Sequence, residues 1–371
     1  MRVLVVNAGS SSLKLRLLDA ADQVVATHDL PAPRGLADAA ALGNVLGGLG
    51  KVNAVGHRIV HGGTEFVAPV IVDQSVVGKL RTLSDLAPLH QPKSLAALDA
   101  VSRALPDLPA VACFDTAFHA QMPAAAATYA LPAEWRKRWP LRRFGFHGLS
   151  HAYASRRAAE LLGRSRKGFR VVTCHLGAGA SLAAVIDGRS VDTTMGFTPL
   201  EGLVMATRSG SVDPGLVLWL EEHAGMPPAE LAATLEHRSG LLGLAGTPDM
   251  RSILAAEARG QAESQLAIAV YLHRLRGSIA AMAAAMGGLS ALVFTGGVGE
   301  NAADIRQRTA DGLGFLGVKV DPVRNEGAGD REIGANNARV HTLVVAARED
   351  LEIARQVRET LRQPRPAAQG A

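Results

Sequence analysis

Four ionisable residues stand in apolar or glycine-rich stretches, and their types suit chemistry between two anions. Arg58 lies in VGHRIVHGG, His147 in FGFHG and Arg208 in MATRSG, while Asp115 ends the apolar run AVACF. A guanidinium presents paired donors to carboxylate and phosphoryl oxygens, and an imidazole can stabilise developing charge. Taken singly, each arginine could instead form a surface ion pair, and His147 could be a satisfied core histidine.

Three loops of small residues follow apolar strands. Residues 3–19 read VLVVNAGSSSLKLRLLD, residues 171–188 read VVTCHLGAGASLAAVIDG and residues 291–301 read ALVFTGGVGEN. The first two share one order: a buried strand, a small-residue loop, a second strand and a turn, with third strands predicted at 23–28 and 189–194. This repeat predicts two similar α/β domains. Small residues allow backbone N–H groups to approach an anion closely, so three such loops favour a nucleotide.

The usual phosphate signatures are absent from these loops. Lys14 follows Leu13 and not a glycine, so there is no Walker pattern, and the GAG of residues 177–179 lacks the third glycine of the Rossmann fingerprint. Further strands are predicted at 110–114, 291–295 and 340–346. Helices are predicted at 149–162, 261–287 and from about 350 to about 362. We place one domain at 1–116 plus 351–371 and the other at 117–350.

Bulk composition is typical of a soluble globular protein. The chain has 371 residues, 48% hydrophobic and 20% charged, with a net charge of +5. Its basic cluster lacks interleaved aromatic residues, so nucleic-acid binding is not expected; the cluster comprises Arg136, Lys137, Arg138, Arg142, Arg143, Arg156 and Arg157. Cys113 and Cys174 sit in apolar runs and suggest neither a disulfide nor zinc. No signal peptide or membrane helix is expected, which predicts a cytoplasmic protein.

The order of the motifs resembles the acetate kinase family over nearly the whole chain. The matching stretches are NAGSSSLK (7–14), GHR with HGG (56–63), FDTAFH (114–119), FGFHG (144–148), VDTTMGFTPLEGLVMATRSGSVDPG (191–215) and FTGGVGEN (294–301). The resemblance implies the fold shared by acetate and sugar kinases, actin and the heat-shock chaperones. That fold has two duplicated actin-like (ribonuclease H-like) α/β domains with a nucleotide cleft between them.

The resemblance also implies an activity. Members transfer the γ-phosphoryl group of ATP reversibly and in line to acetate, giving acetyl phosphate and ADP, with Mg²⁺ or alternatively Mn²⁺, and they are homodimers. Propionate or butyrate kinase activity remains open, since one methylene changes binding by only ~1–3 kcal/mol. A third interpretation is a conformational ATPase without an acyl acceptor. The joint presence of Arg58, His147 and Arg208 argues against it.

Site residues follow from the same resemblance. Asp115, His147 and Arg208 would be catalytic, with an orienting role for Asp115. Arg58, Val60, Leu89 and Pro199 would bind the short carboxylate, and Asn7 and Glu349 would hold the cation. ATP would contact Lys14, His175, Leu176, Gly177, Ala178, Gly179, Asp249, Met250, Arg251, Gly297, Val298, Gly299, Glu300 and Asn301.

The sequence departs from the family pattern at a few positions. Ala178 replaces a usual Asn in the His-Leu-Gly-x-Gly loop, so one amide contact to phosphate is missing, and the preferred phosphoryl donor is left open. Gln91 replaces a usual Asn, and Ala206 replaces a usual Gly. These differences leave the acyl substrate less defined than the fold.

Overall fold

The computed structural model describes residues 1–9, 12–32, 38–87 and 91–363. These residues form two compact units. The first combines 1–120 with the chain from 348 onward, and the second spans 121–347. The domain limits inferred from the sequence stay a prediction. No helix among the described residues has the length and apolar character required to cross a bilayer.

The first unit is built on a mixed six-stranded sheet. Its strands are β1 (Val3–Ala8), β2 (Ser12–Leu18), β3 (Val24–Pro31), β4 (Ala54–Ile59), β5 (Val70–Ile71) and β6 (Ala110–Phe114). The order is β3-β2-β1-β4-β6-β5. Strands β1, β4 and β6 run parallel, whereas β2, β3 and β5 pair antiparallel with their neighbours. The carboxyl ends of β1, β4 and β6 therefore meet at one edge.

The second unit repeats this topology strand for strand. Its strands are β7 (Arg170–Leu176), β8 (Ala180–Ile186), β9 (Arg189–Thr193), β10 (Ala291–Thr295), β11 (Arg331–Glu332) and β12 (His341–Val344). They lie in the order β9-β8-β7-β10-β12-β11, with β7, β10 and β12 parallel. The α/β fold class and the internal repeat predicted from the two hairpin loops are confirmed.

Helices cover the sheets. They are α1 (Ala39–Gly48), α2 (Gln74–Thr82), α3 (Gln91–Ala104), α4 (Ala124–Ala127), α5 (Ala133–Arg138), α6 (Gly148–Leu161), α7 (Pro214–Ala224), α8 (Pro228–His237), α9 (Gly240–Ala245), α10 (Met250–Ala258), α11 (Ala262–Ala285), α12 (Gly296–Asn301), α13 (Ala303–Asp311), α14 (Pro322–Asn325) and α15 (Glu349–Arg362). The helices predicted near 149–162 and 261–287 correspond to α6 and α11, each within two residues at either end.

Helix α15 returns to the first unit and packs on its sheet. A Cβ atom at Gly56 in β4 would lie 2.6 Å from Ile353 and 2.7 Å from Val357, so glycine is required for this close approach. Arg358 fastens the helix further by donating to the carboxylate of Asp22 and to the Asp19 carbonyl. The close packing fixes the first residue of α15 relative to the ends of β1 and β4.

Candidate active site

In the first unit, the partly buried Arg58 forms an ion pair with the buried Asp115. Arg58 is near the end of β4 and Asp115 directly follows β6, the parallel neighbour of β4. Arg58 donates from Nε to Oδ1 of Asp115 at 3.1 Å and from Nη2 to Oδ2 at 2.6 Å. Burial opposes the charge on Arg58, but the carboxylates of Asp115 and Glu349 outweigh it and raise the guanidinium pKa. Arg58 is therefore a permanent, oriented cation.

Two more predicted residues contact this pair. Asn7, near the end of β1, accepts from Arg58 Nη1 through Oδ1 at 3.1 Å and donates through Nδ2 to Glu349 Oε2 at 3.1 Å. Glu349 begins α15, where the helix dipole favours a carboxylate, and its Oε2 lies 3.7 Å from Arg58 Nε. Lys14 pairs with Asn7 across β1 and β2, so both side chains share one face.

The oxygen donors of this group fit a hard cation. Asn7 supplies an amide oxygen and Glu349 a carboxylate, joined by the hydrogen bond from Asn7 to Glu349, whereas both oxygens of Asp115 accept from Arg58. Mg²⁺ prefers oxygen ligands and usually keeps several waters, so few protein ligands are required. The donor set of Asn7 and Glu349 is therefore chemically suitable for the ion that the sequence predicted there.

The stretch after β4 is held by Gln91, which the sequence noted only as a departure from the family pattern. Gln91 accepts from the His61 N–H at 3.1 Å and donates to the His61 carbonyl at 2.9 Å. Thr116 Oγ1 accepts from the Gly62 N–H at 3.0 Å. Val60 is buried in this stretch, whereas Leu89 lies outside the described residues.

In the second unit, His147 is placed by an unusual backbone and by a chain of hydroxyls. It caps the N-terminus of α6 in the left-handed conformation, with φ of 56°, a region that non-glycine residues seldom adopt. Its Nδ1 lies 2.9 Å from Ser181 Oγ, which also lies 2.7 Å from His151 Nε2. His151 Nδ1 lies 2.7 Å from Thr173 Oγ1. Both nitrogens of His151 thus face hydroxyls.

His175 belongs to the same group of side chains as His147 and Ser181. Its ring stacks on His147 with centroids 4.4 Å apart, and its Nδ1 lies 2.8 Å from Ser150 Oγ. His175 is near the end of β7, the counterpart of β1. The sequence predicted His147 and His175 but missed the serine hydroxyls, because a serine on a buried strand or helix has no distinctive pattern.

Arg208 reaches the same place from a different segment. Its Nε lies 2.8 Å from Glu236 Oε1 in α8, and its Nη1 lies 3.4 Å from the Pro199 carbonyl. A Cβ atom at Gly179 would lie 3.3 Å from both Arg208 Nη1 and His147 Nε2. Gly179 thus lies where the arginine and the imidazole converge. Glu236, which positions Arg208, was not predicted.

A cavity of about 590 Å³ opens beside this group within the second unit. Predicted nucleotide residues line it: Gly177, Ala178, Asp249, Met250, Arg251, Gly297, Val298 and Asn301. Its wall also includes Pro248, Leu254 and Tyr271, which the sequence did not predict. Tyr271 was missed because a tyrosine within a long apolar helix is typical of a core. The Tyr271 hydroxyl is buried and has no hydrogen-bond partner among the described residues. The size suits a small ligand.

Residues 296–301, which the sequence predicted as a loop, form helix α12, and side chains behind the cavity hold this helix. Glu300 Oε1 accepts from the backbone N–H groups of Gly296 at 3.1 Å and Ala347 at 2.9 Å. Arg306, which is fully buried, donates from Nη1 to the carbonyls of Gly299 and Glu300 at 2.9 and 2.8 Å. Of the predicted nucleotide residues, Glu300 therefore holds α12 in place.

The repeated sheets and the small-residue loops at their strand ends define a protein of the duplicated actin-like α/β class. The chain belongs to the acetokinase family, whose model matches residues 34–355. It is 45% identical to the acetate kinase of Deinococcus deserti over 97% of this chain and 98% of the relative. The solved acetate kinase of Porphyromonas gingivalis is 36% identical, with a TM-score of 0.91 over 97% of this chain and 100% of that one. A propionate kinase of Francisella tularensis is also 36% identical, with a TM-score of 0.90 over 96% and 99%.

Proposed function

We propose that this chain catalyses the reversible transfer of the γ-phosphoryl group from ATP to acetate. Family membership and relatives named acetate kinase, each matched over nearly its whole length, support this reaction. The observation that carries the residue roles is the convergence of Arg208 and His147 at Gly179, beside the cavity with the nucleotide loops. A carboxylate needs no general base to attack, so the chemistry rests on positioning and charge stabilisation.

In this reaction, a carboxylate oxygen of acetate forms a bond to the γ-phosphorus as the bond to the bridging oxygen of ADP breaks. The electron pair of the broken bond stays on the β-phosphate of ADP, and no proton is transferred. Arg208 and His147 donate to the phosphoryl oxygens, whose charge would otherwise repel the attacking anion. Arg58, held by Asp115, keeps its outer donors directed at the carboxylate of acetate.

We assign to Asn7 and Glu349 the binding of a divalent cation, Mg²⁺ or Mn²⁺. Such an ion neutralises phosphate charge when it is bound. Asn7 offers an amide oxygen and Glu349 a carboxylate, which are the oxygen ligands that such a cation requires. The hydrogen bond between the two side chains holds them side by side. Asp115 orients Arg58 and is not a base in this proposal.

The nucleotide is assigned to the cavity of the second unit. Ala178 and Gly297 provide backbone N–H groups without bulky side chains, which suits phosphate, whereas the Gly177 N–H already donates to the Gly179 carbonyl at 3.0 Å. Asp249 caps α10 by accepting from the N–H of Arg251 at 3.3 Å, and both residues line the cavity. Lys14 would add a cationic contact to phosphate.

A second copy of the chain is proposed as the partner. Helix α7 has no buried residue, and it presents Leu216, Leu218 and Trp219 to solvent, each about half exposed. An apolar surface of this kind on a globular protein is typical of an interface.

Trapping of acyl phosphate with hydroxylamine tests the activity directly. With Mg-ATP we expect hydroxamate from acetate, with kcat/KM about tenfold or more above that for propionate. The propionate kinase of comparable identity makes propionate the second candidate, and a higher kcat/KM with propionate would select it. ATP hydrolysis that is unaffected by either acid would contradict both.

A further inference from the structure

Three side chains of the second unit form a cluster beside the loop between β9 and α7. They are Tyr129, Arg143 and Glu201, which we name the Glu201 cluster. Tyr129 donates its hydroxyl hydrogen to Glu201 Oε2 at 2.6 Å, and Arg143 donates from Nη2 to Glu201 Oε1 at 2.7 Å. Burial and the Glu201 carboxylate raise the pKa of Tyr129, so the phenol keeps the proton that it donates. Both oxygens of Glu201 are thus bonded, which holds the carboxylate in one orientation.

The cluster is also hydrogen-bonded to the backbone of the loop. The Tyr129 oxygen accepts from the Phe197 N–H at 2.9 Å, and Arg143 Nη1 donates to the Thr194 carbonyl at 3.1 Å. The guanidinium thus joins Glu201 to the start of the loop, while the phenol joins it to a point three residues further along. Charge-assisted and connected hydrogen bonds of this kind support one another, so the backbone from 194 to 197 is fixed against the cluster.

Gly196 brings the loop close to the cluster. A Cβ atom at this position would overlap Glu201 Oε2 and the Tyr129 hydroxyl oxygen, so the space requires glycine. Gly196 has no positive φ, so the backbone itself would accept alanine. Its carbonyl accepts from the N–H groups of Phe144 at 3.0 Å and Gly145 at 3.3 Å. The loop is therefore bonded on one side to the cluster and on the other side to the segment that leads into α6.

Both segments of this junction lead to residues of the candidate active site. Gly145 is two residues before His147, and Phe197 is two residues before Pro199. The Pro199 carbonyl in turn lies 3.4 Å from Arg208 Nη1. A misplacement of about 1 Å among groups that position a substrate can cost about 10²-fold in rate. The cluster therefore lies where a small movement reaches the imidazole, the arginine and the residue predicted to bind acetate.

We propose that the members of the Glu201 cluster are positioning residues of the active site. The cluster holds the loop 194–199 against the segment 144–147, so that Pro199 and His147 keep a fixed separation. The consequence for the reaction rests on the proposed function: because the sequence assigns Pro199 to the acetate pocket, the cluster sets the width of that pocket and favours acetate over propionate. A loosened loop admits the longer acid and holds the shorter one less well.

Hydrogen exchange tests the connection without an enzyme assay. Tyr129→Phe removes the hydroxyl that donates to Glu201 and accepts from the loop. In peptides covering 194–201 and 141–147, measured by mass spectrometry, we expect exchange about 3- to 10-fold faster than in wild type, as for the loss of one neutral hydrogen bond. A peptide covering β8 should keep its wild-type rate. Unchanged exchange in 141–147 would overturn the proposal, because the cluster would then not reach the segment that leads into α6.

Steady-state kinetics with acetate and propionate test the consequence. Glu201→Ala should raise the KM for acetate about tenfold and lower the acetate-to-propionate ratio of kcat/KM at least about threefold, with the KM for ATP unchanged. Glu201→Gln keeps an acceptor for the Tyr129 hydroxyl and should retain most of the wild-type ratio. A merely structural role would reduce the active fraction, which lowers kcat equally for both acids and alters neither KM. Glu230→Ala is the matched control, since Glu230 pairs with Arg238 at an exposed position.

Gly196→Ala is a second variant, which reaches the same cluster from the loop. The added methyl group displaces the Glu201 carboxylate, so this variant should show the same rise in acetate KM and the same fall in ratio as Glu201→Ala. Gly277→Ala is its control, because a Cβ atom there would meet no side chain within 4 Å. Wild-type ratios in both Glu201→Ala and Gly196→Ala would refute the role in selectivity. If the wild-type chain forms no acyl phosphate from either acid, the proposed function fails instead, and hydrogen exchange alone decides whether the cluster positions the loop.

Discussion

The hydroxyl of Ser181 lies 2.9 Å from Nδ1 of His147 and fixes the direction of that imidazole. Two proton orders are consistent with these contacts. In one of them Thr173 donates to His151, His151 donates to Ser181 and Ser181 donates to His147, which leaves the hydrogen of the neutral imidazole on Nε2 near Gly179. The role proposed for His147 as a donor to the phosphoryl group requires this order.

Ser181→Ala is expected to lower kcat about tenfold with little change in either KM. The variant leaves the facing nitrogens of His147 and His151 without their shared partner, which costs about 1–3 kcal/mol. Steady-state kinetics measure the effect. The control is Ser155→Ala, which removes a buried α6 hydroxyl that bonds only to the Ala152 carbonyl in the described contacts; an equal loss there would indicate a general structural effect.

Arg208→Ala is expected to lower kcat by about 10³, the effect typical of arginines that stabilise a transferring phosphoryl group. Glu236→Gln should lower it less, by about tenfold, because it loosens Arg208 without removing it. Arg238→Ala is the matched control, since its ion pair with Glu230 is exposed. A loss below tenfold for Arg208→Ala would remove this residue from the site.

Ala178→Asn is expected to lower the KM for ATP about two- to tenfold and to leave the KM for acetate unchanged. Ala178 lines the cavity to which we assign the nucleotide, and an asparagine there would add one neutral hydrogen bond, worth about 0.5–1.5 kcal/mol. Ala178→Leu, of similar size but without a donor, should give no gain. An unaltered KM for ATP in the asparagine variant would show that the position is indifferent.

Trp219→Glu is expected to convert a dimer to a monomer in sedimentation experiments. The substitution places a carboxylate in the apolar face of α7, where its burial against a second copy would be costly. Val323→Glu is the control, because Val323 is 85% exposed outside that face. If Trp219→Glu remains dimeric, the interface lies elsewhere.

Acid should destabilise the first unit as the pH falls from about 6.5 to about 4. Burial lowers the pKa of His57 and of His61 to about 4, so the unfolded chain binds a proton in this range and the folded chain does not. Each histidine then reduces the free energy of unfolding by about 1.4 kcal/mol per pH unit. In denaturant titrations across this range, His57→Leu should flatten the slope, while His237→Leu, at an exposed position, should not.

Sequence reasoning reached the fold through one signal, the repeated order of strand, small-residue loop and strand. It reached the charged site residues through their apolar surroundings and the family motifs. It missed Glu236 and Ser181, whose importance depends on which strand or helix passes beside Arg208 and His147. It also did not separate His57 from Arg58, because an imidazole beside an arginine looks like part of the same motif until alternation along β4 places the two side chains on opposite faces.

The first unit is assembled from both ends of the chain, which affects how it folds during synthesis. Its central strands come from early in the chain, but α15, which covers Gly56 and supplies Glu349, comes after the whole second unit. During synthesis on the ribosome, the face of β1 and β4 that α15 later covers therefore remains exposed while the second unit emerges and folds. The unit that carries Asn7, Arg58 and Glu349 is completed last, so a chain released early lacks the group to which we assign the cation and acetate.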